Sequence, residues 1–141
     1  MKKIAALALT LVIVLAVSGC NLVKFSTPTA YEKVNETSEV TISIQDQSLT
    51  DTGLTLLIQS NVEEELSYGT DYTIEQNKDG SWYSMDGEQV FNSLAAILKP
   101  GDTNEFDVTW EKKLPKGAYR VVKPVNTSQG ATPLAAEFEV R

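Results

Sequence analysis

Glu105-Phe106-Asp107-Val108-Thr109-Trp110 is the stretch that decides the fold. Apolar Phe106, Val108 and Trp110 alternate with polar Glu105, Asp107 and Thr109, the period-two pattern of a strand with one buried and one wet face. Towards the C-terminus, Leu114-Pro115-Lys116-Gly117 is a turn signal. Tyr119 and Val121 then share one face of a strand, with Arg120 and Val122 on the other. The last strand sets Ala136, Phe138 and Val140 inward against Glu137, Glu139 and Arg141 outward.

The same reading extends towards the N-terminus. Val40, Ile42 and Ile44 alternate with Thr41 and Ser43. Asp51-Thr52-Gly53 turns the chain into the more apolar Leu54–Ile58. Tyr72 and Ile74 alternate with Thr73 and Glu75, and Asn77-Lys78-Asp79-Gly80 is a hairpin signal because Asp-Gly accepts the positive φ of two-residue turns. Trp82, Tyr83 and Met85 lie on the returning strand. Val90–Leu98, with its Ala-Ala pair, has room for one or two helical turns before Lys99-Pro100-Gly101 turns again. About seven short strands with turn signals every 8–12 residues or so predict an all-β, antiparallel β-sandwich over residues 39–141. A parallel α/β fold needs crossover helices, for which there is no room.

Lys2 and Lys3, an apolar run from Ile4 to Val17 broken only by Thr10, and the small residues Ser18 and Gly19 before Cys20 form a secretory signal with its cleavage point. The run is shorter than the roughly 18–20 residues a spanning helix needs. The small residues followed by the sole cysteine resemble the lipobox of bacterial lipoproteins. In that family the thiol takes a diacylglyceryl group, palmitate-like chains enter the membrane, and the peptide is cut between Gly19 and Cys20. The predicted organisation is a signal peptide at 1–19, a lipidated Cys20 with a flexible tether at 20–38, and the sandwich at 39–141. A competing reading places Phe25 and Tyr31 in a first strand.

Removal of residues 1–19 leaves 122 residues with ten basic and nineteen acidic side chains, a net charge of −9. Nucleic acid is a poor partner for such a surface, and anionic head groups repel it, so the domain is expected to stand off the bilayer. With Cys20 lipidated no disulfide is available, and packing alone must hold the fold.

Several stretches resemble a bacterial immunoglobulin-like domain family found in secreted lipoproteins and at the ends of membrane-bound sensors. They are Thr52-Gly53-Leu54-Thr55-Leu56, Tyr68-Gly69-Thr70-Asp71-Tyr72, Gly80-Ser81-Trp82-Tyr83 and Leu98-Lys99-Pro100-Gly101. Phe106–Trp110, Leu114–Val121 and Ala136–Val140 continue the match. The resemblance covers Glu39–Arg141. It implies an Ig-like sandwich in a cell-surface setting, with Tyr119 as its tyrosine corner. It implies no catalytic residue and no cofactor.

Chemistry is sparse. The chain has no histidine, so His-based triads and the commonest zinc ligand are missing. No Gly-x-Gly or Gly-Lys pair occurs, which removes dinucleotide and P-loop signatures. Glu63-Glu64-Glu65 reads as a solvated charge run. Asp46, Asp51 and Asp71 are oxygen donors for calcium only if the fold gathers them, and no metal site is expected. Trp82 and Tyr83, beside a hairpin tip, are weak candidates for stacking on sugar or partner; their adjacent positions put one of them in the core. The expected function is that of a lipid-anchored extracytoplasmic lipoprotein on the cell membrane. Its noncatalytic domain acts as a protein-interaction or structural module with an envelope protein. The alternative is a small-ligand or carbohydrate-binding lipoprotein serving a transporter or sensor, which predicts an exposed aromatic patch around Trp82 or Trp110.

Overall fold

A computed structural model describes residues 23–87 and 89–141. The signal segment, its cleavage point and Cys20 lie outside the described residues. The elements are β1 (Phe25–Pro28), β2 (Val40–Ile44), β3 (Gly53–Ser60), β4 (Leu66–Tyr68) and β5 (Thr73–Lys78). They continue with β6 (Ser81–Met85), β7 (Ala96–Leu98), β8 (Thr103–Thr109), β9 (Gly117–Thr127) and β10 (Gly130–Val140).

Two antiparallel sheets face each other. The smaller runs β2-β3-β8; the larger runs β1-β6-β5-β9-β4-β7, with β10 on the other side of β9. The stretch that opened the sequence reading is β8. Its inward Phe106 and Val108 pair with Leu56 and Leu54 of β3, and Leu54, Leu56, Ile58 and Val108 are all buried. Each such aliphatic side chain contributes about 1.5–3 kcal/mol by leaving water. Gly53 starts β3 because an added Cβ there would lie 2.6 Å from the Val108 carbonyl oxygen. Asp79 and Gly80 have φ of 55° and 88°, as the hairpin between β5 and β6 demands.

The core has two lobes. One gathers Phe25, Leu54, Leu56, Ile74, Trp110 and Tyr119; the other gathers Val40, Ile58, Leu66, Tyr68, Leu98 and Val125. Phe106 packs against both. The tyrosine corner is present: the Tyr119 hydroxyl donates to the Pro115 carbonyl at 2.5 Å, and burial pushes its pKa up to about 12.

Three expectations are corrected. The strands number ten among the described residues rather than about seven, because β1, β4 and β7 span three or four residues, too few to display a period. Val90–Leu98 is not helical: 90–95 is irregular and 96–98 is β7, paired with β4. The 20–38 segment expected to be a flexible tether instead holds β1, which pairs with β6, and Phe25 is only 2% exposed. Its ring meets Tyr119 edge-on at 5.3 Å, and this burial together with the β1–β6 pairing offsets the entropy lost on ordering the segment. Asp86 pins the strand by accepting from the Ser26 hydroxyl and N–H and from Thr27. Those Ser26 bonds hold the Asp86 carboxyl below its usual range.

Candidate functional site

On the outer face of the larger sheet, Glu75 of β5 stands opposite Arg120 of β9. The Arg120 Nε–H donates to Glu75 Oε1 at 2.7 Å. The other carboxylate oxygen, Oε2, accepts from the Thr29 hydroxyl at 2.6 Å. Trp82 covers the guanidinium, its ring centroid 4.5 Å from Cζ, and Arg120 also reaches the Tyr31 carbonyl. Residues 29–31 thus close over a pair that would otherwise face solvent, leaving Glu75 0% exposed. With both oxygens engaged, the carboxylate ties β5 to β9 and to the segment that follows β1.

Lys123 points the other way, between the sheets. Its ammonium donates to the carbonyls of Gly69 (2.9 Å), Asp71 (2.8 Å) and Pro124 (3.3 Å). The rings of Phe106 and Tyr68 flank it at 4.8 and 5.2 Å, and its Nζ stands 3.8 Å from the exposed Asp71 carboxylate. Burial lowers its pKa to about 8, with the Asp71 charge opposing. The ammonium knits the β4–β5 connection to β9 at the junction of the two core lobes.

A groove of about 570 Å³ lies where the described chain begins. Val23 and Lys24 form one side, Met85–Gly87 and Gln89–Phe91 another, and Thr109–Lys112 after β8 a third. Tyr72 is its floor; the hydroxyl donates to the Thr109 carbonyl at 2.7 Å and accepts from the Thr109 N–H at 3.1 Å. Phe91 meets the Tyr72 ring edge-on at 5.1 Å. Val90, on the loop, is 92% exposed.

The aromatic candidates are put to structural use. Trp82 is half-buried over Arg120, and Tyr83, on the opposite face, packs against the core with Lys78 5.5 Å from its ring. Trp110 is 7% exposed, stacked on Phe138, with its indole N–H donating to the Asp51 carbonyl at 2.7 Å. No exposed aromatic patch forms around either tryptophan. Among the described residues no group of three or more His, Cys, Asp or Glu is placed to hold a metal ion. Asp46, Asp51 and Glu63–Glu65 are exposed and separate. Cys20 and Gly19 lie outside the described residues. Sequence reading missed the groove, which forms from segments as far apart as Val23 and Lys112, and Lys123, whose only signal is its inward position two residues after Val121.

No curated protein matches the chain. The archaellum periplasmic stator protein FlaG from Sulfolobus acidocaldarius aligns with 72% of this chain and 99% of its own, at 12% identity and a TM-score of 0.41. That likeness is too loose to bear on fold or function. The sequence profile described as "Bacterial Ig-like domain" matches residues 36–139, the part of the chain that builds β2 to β10 almost whole. With both sheets, the paired strands and the tyrosine corner in place, the chain belongs to the bacterial Ig-like domain family.

Proposed function

We propose that this protein is an extracytoplasmic lipoprotein, anchored to the cell membrane through a lipid on Cys20, whose Ig-like domain is a noncatalytic interaction module of the cell envelope. The observation that carries the reading is the Ig-like domain itself, set directly behind a signal segment that ends at the sole cysteine. The buried charged groups support a noncatalytic role. Glu75, Arg120 and Lys123 spend their hydrogen bonds on neighbouring strands and connections. The carbohydrate alternative has less support, since Trp110 is buried and Trp82 is occupied by Arg120.

The test is fractionation of cells expressing the full chain and its Cys20→Ser form, with mass spectrometry of the N-terminal peptide. Diacylglyceryl mass on Cys20, and release of the Ser form in folded state, is the expected result. A Ser form that stays with the membrane defeats the anchor. Photo-crosslinking from exposed strand positions in intact cells then reads the partner. Turnover of any substrate by the purified domain in a hydrolase panel would remove the noncatalytic assignment.

A further inference from the structure

The geometry points to the groove beside Val23 as the membrane-facing surface of the domain, seated on the zwitterionic phospholipid head groups around its own anchor. The inference rests on lipidation of Cys20 as proposed above. Three peptide steps separate Cys20 from Val23, and at 3.3–3.6 Å each they reach at most about 10 Å. The head-group region of one leaflet is itself roughly 5–8 Å deep. A lipidated sulfur lies at the level of that region, so the wall of the groove formed by Val23 and Lys24 cannot leave it by much.

The groove has the chemistry of that layer. Val90 offers an aliphatic side chain that is 92% exposed, and Phe91 lies next to it on the groove wall. Lys24 and Lys112 line the same groove as Asp86 and Glu111. Asp86 is committed to Ser26 and Thr27, which leaves the Lys24 and Lys112 ammonium groups to meet a head-group phosphate and the Glu111 carboxylate to meet its ammonium. A surface of net charge −9 is repelled by anionic lipids, whereas a mixed groove meets a zwitterionic lipid without that cost. Exposed aliphatic groups at an interface add about 0.8 kcal/mol per buried CH₂.

Because the Cys20 thiol is consumed by lipid, Val90→Cys in the full lipidated chain carries a single free thiol for an environment-sensitive fluorophore. Gln129→Cys, on the exposed β9–β10 turn, is the comparison. Both are reconstituted in phosphatidylcholine–phosphatidylethanolamine vesicles containing a lipid with a quencher on its head group. The Val90 reporter is expected to lose most of its emission to the lipid quencher and to resist aqueous iodide, and the Gln129 reporter to do the reverse. Adding Lys24→Glu and Lys112→Glu to the Val90 reporter should cut the lipid quenching severalfold while the protein still floats with the vesicles. Equal iodide access at the two positions overturns the inference, as does lipid quenching that ignores the two charge reversals. Flotation and the acyl mass of the N-terminal peptide read the anchor separately. If they fail, anchor and orientation fall together; if they hold while Val90 stays unquenched, the orientation alone falls.

Discussion

Lys123 shows what a single side chain costs and returns. Its pKa of about 8 inside the protein lies below the ordinary 10.5 because the sheets strip water from the ammonium. Between these values the unfolded chain holds a proton that the folded one has released, so stability rises with pH across the window from about 8 to 10.5. The drop corresponds to about 3 kcal/mol at full deprotonation. Tyr119 acts in the opposite sense higher up: its folded pKa of about 12 exceeds the ordinary 10, so its contribution is whole below pH 10 and is lost towards 12. Urea midpoints are therefore expected to climb from pH 8 towards 10 and fall beyond it, and the climb should vanish in Lys123→Met; a Lys123→Met protein with the same climb would place the titration elsewhere. The Glu75–Arg120 pair supplies a second residue-scale prediction. Glu75→Ala leaves a guanidinium that is 6% exposed without its counter-ion, at a cost of about 3–5 kcal/mol, and Glu75→Leu with Arg120→Met should recover most of that. Thermal unfolding of the two variants beside the unaltered protein decides it. The face read from Tyr119 and Val121 reaches position 123 when it is continued by two residues, a step the sequence reading did not take. That a lysine could stay there was not legible, because the three carbonyls that accept from it belong to Gly69, Asp71 and Pro124, two of them about fifty residues away.

Strands long enough to show their period were readable from sequence, and short ones were not. β8 and β10 display alternation over seven or more residues, β3 and β9 show as longer apolar stretches, and turn chemistry at Asp79-Gly80 fixed a hairpin outright. β1 has one inward residue, Phe25, and gets its partner from β6 some sixty residues on. Nothing local marks it. β7 hid in the same way, behind an Ala-Ala pair that suits a helix until β4 offers its edge. After Pro28 the chain crosses to the far edge of the larger sheet, where Asn35 exchanges side-chain amide bonds with the Ala135 backbone and caps β10. The family match covers residues 36–139, so β1 and this crossing lie outside the matched part. A loose tether would tolerate Phe25→Ala without effect. A buried strand residue packed on Tyr119 should instead lose about 3–5 kcal/mol, read as a lowered urea midpoint with unchanged slope. No change in the midpoint would return the segment to the status of a leash.

At the scale of the molecule, the lipid anchor proposed at Cys20 sets charge repulsion against reach. Net charge −9 pushes the domain from an anionic leaflet, but that push decays over about 8 Å at physiological salt. The leash from Cys20 to Val23 is itself only about 10 Å long. With the lipid on Cys20 proposed above, tether length decides, and the stand-off expected from charge repulsion gives way to close approach. Neutron reflectometry on a supported bilayer should find no resolved water layer between head groups and protein for the lipidated chain. Inserting twenty Gly/Ser residues between Asn21 and Leu22 gives a linker with an r.m.s. span of about 25 Å. It touches no described contact, so thermal stability and membrane fractionation should stay as they are, while a hydrated gap of that order opens beneath the domain. A gap already present without the spacer would mean that part of residues 23–35 peels away at the membrane. In that case Phe25 would leave Tyr119, and the same preparation would show the stability loss argued for Phe25→Ala, which makes the two explanations separable in one sample.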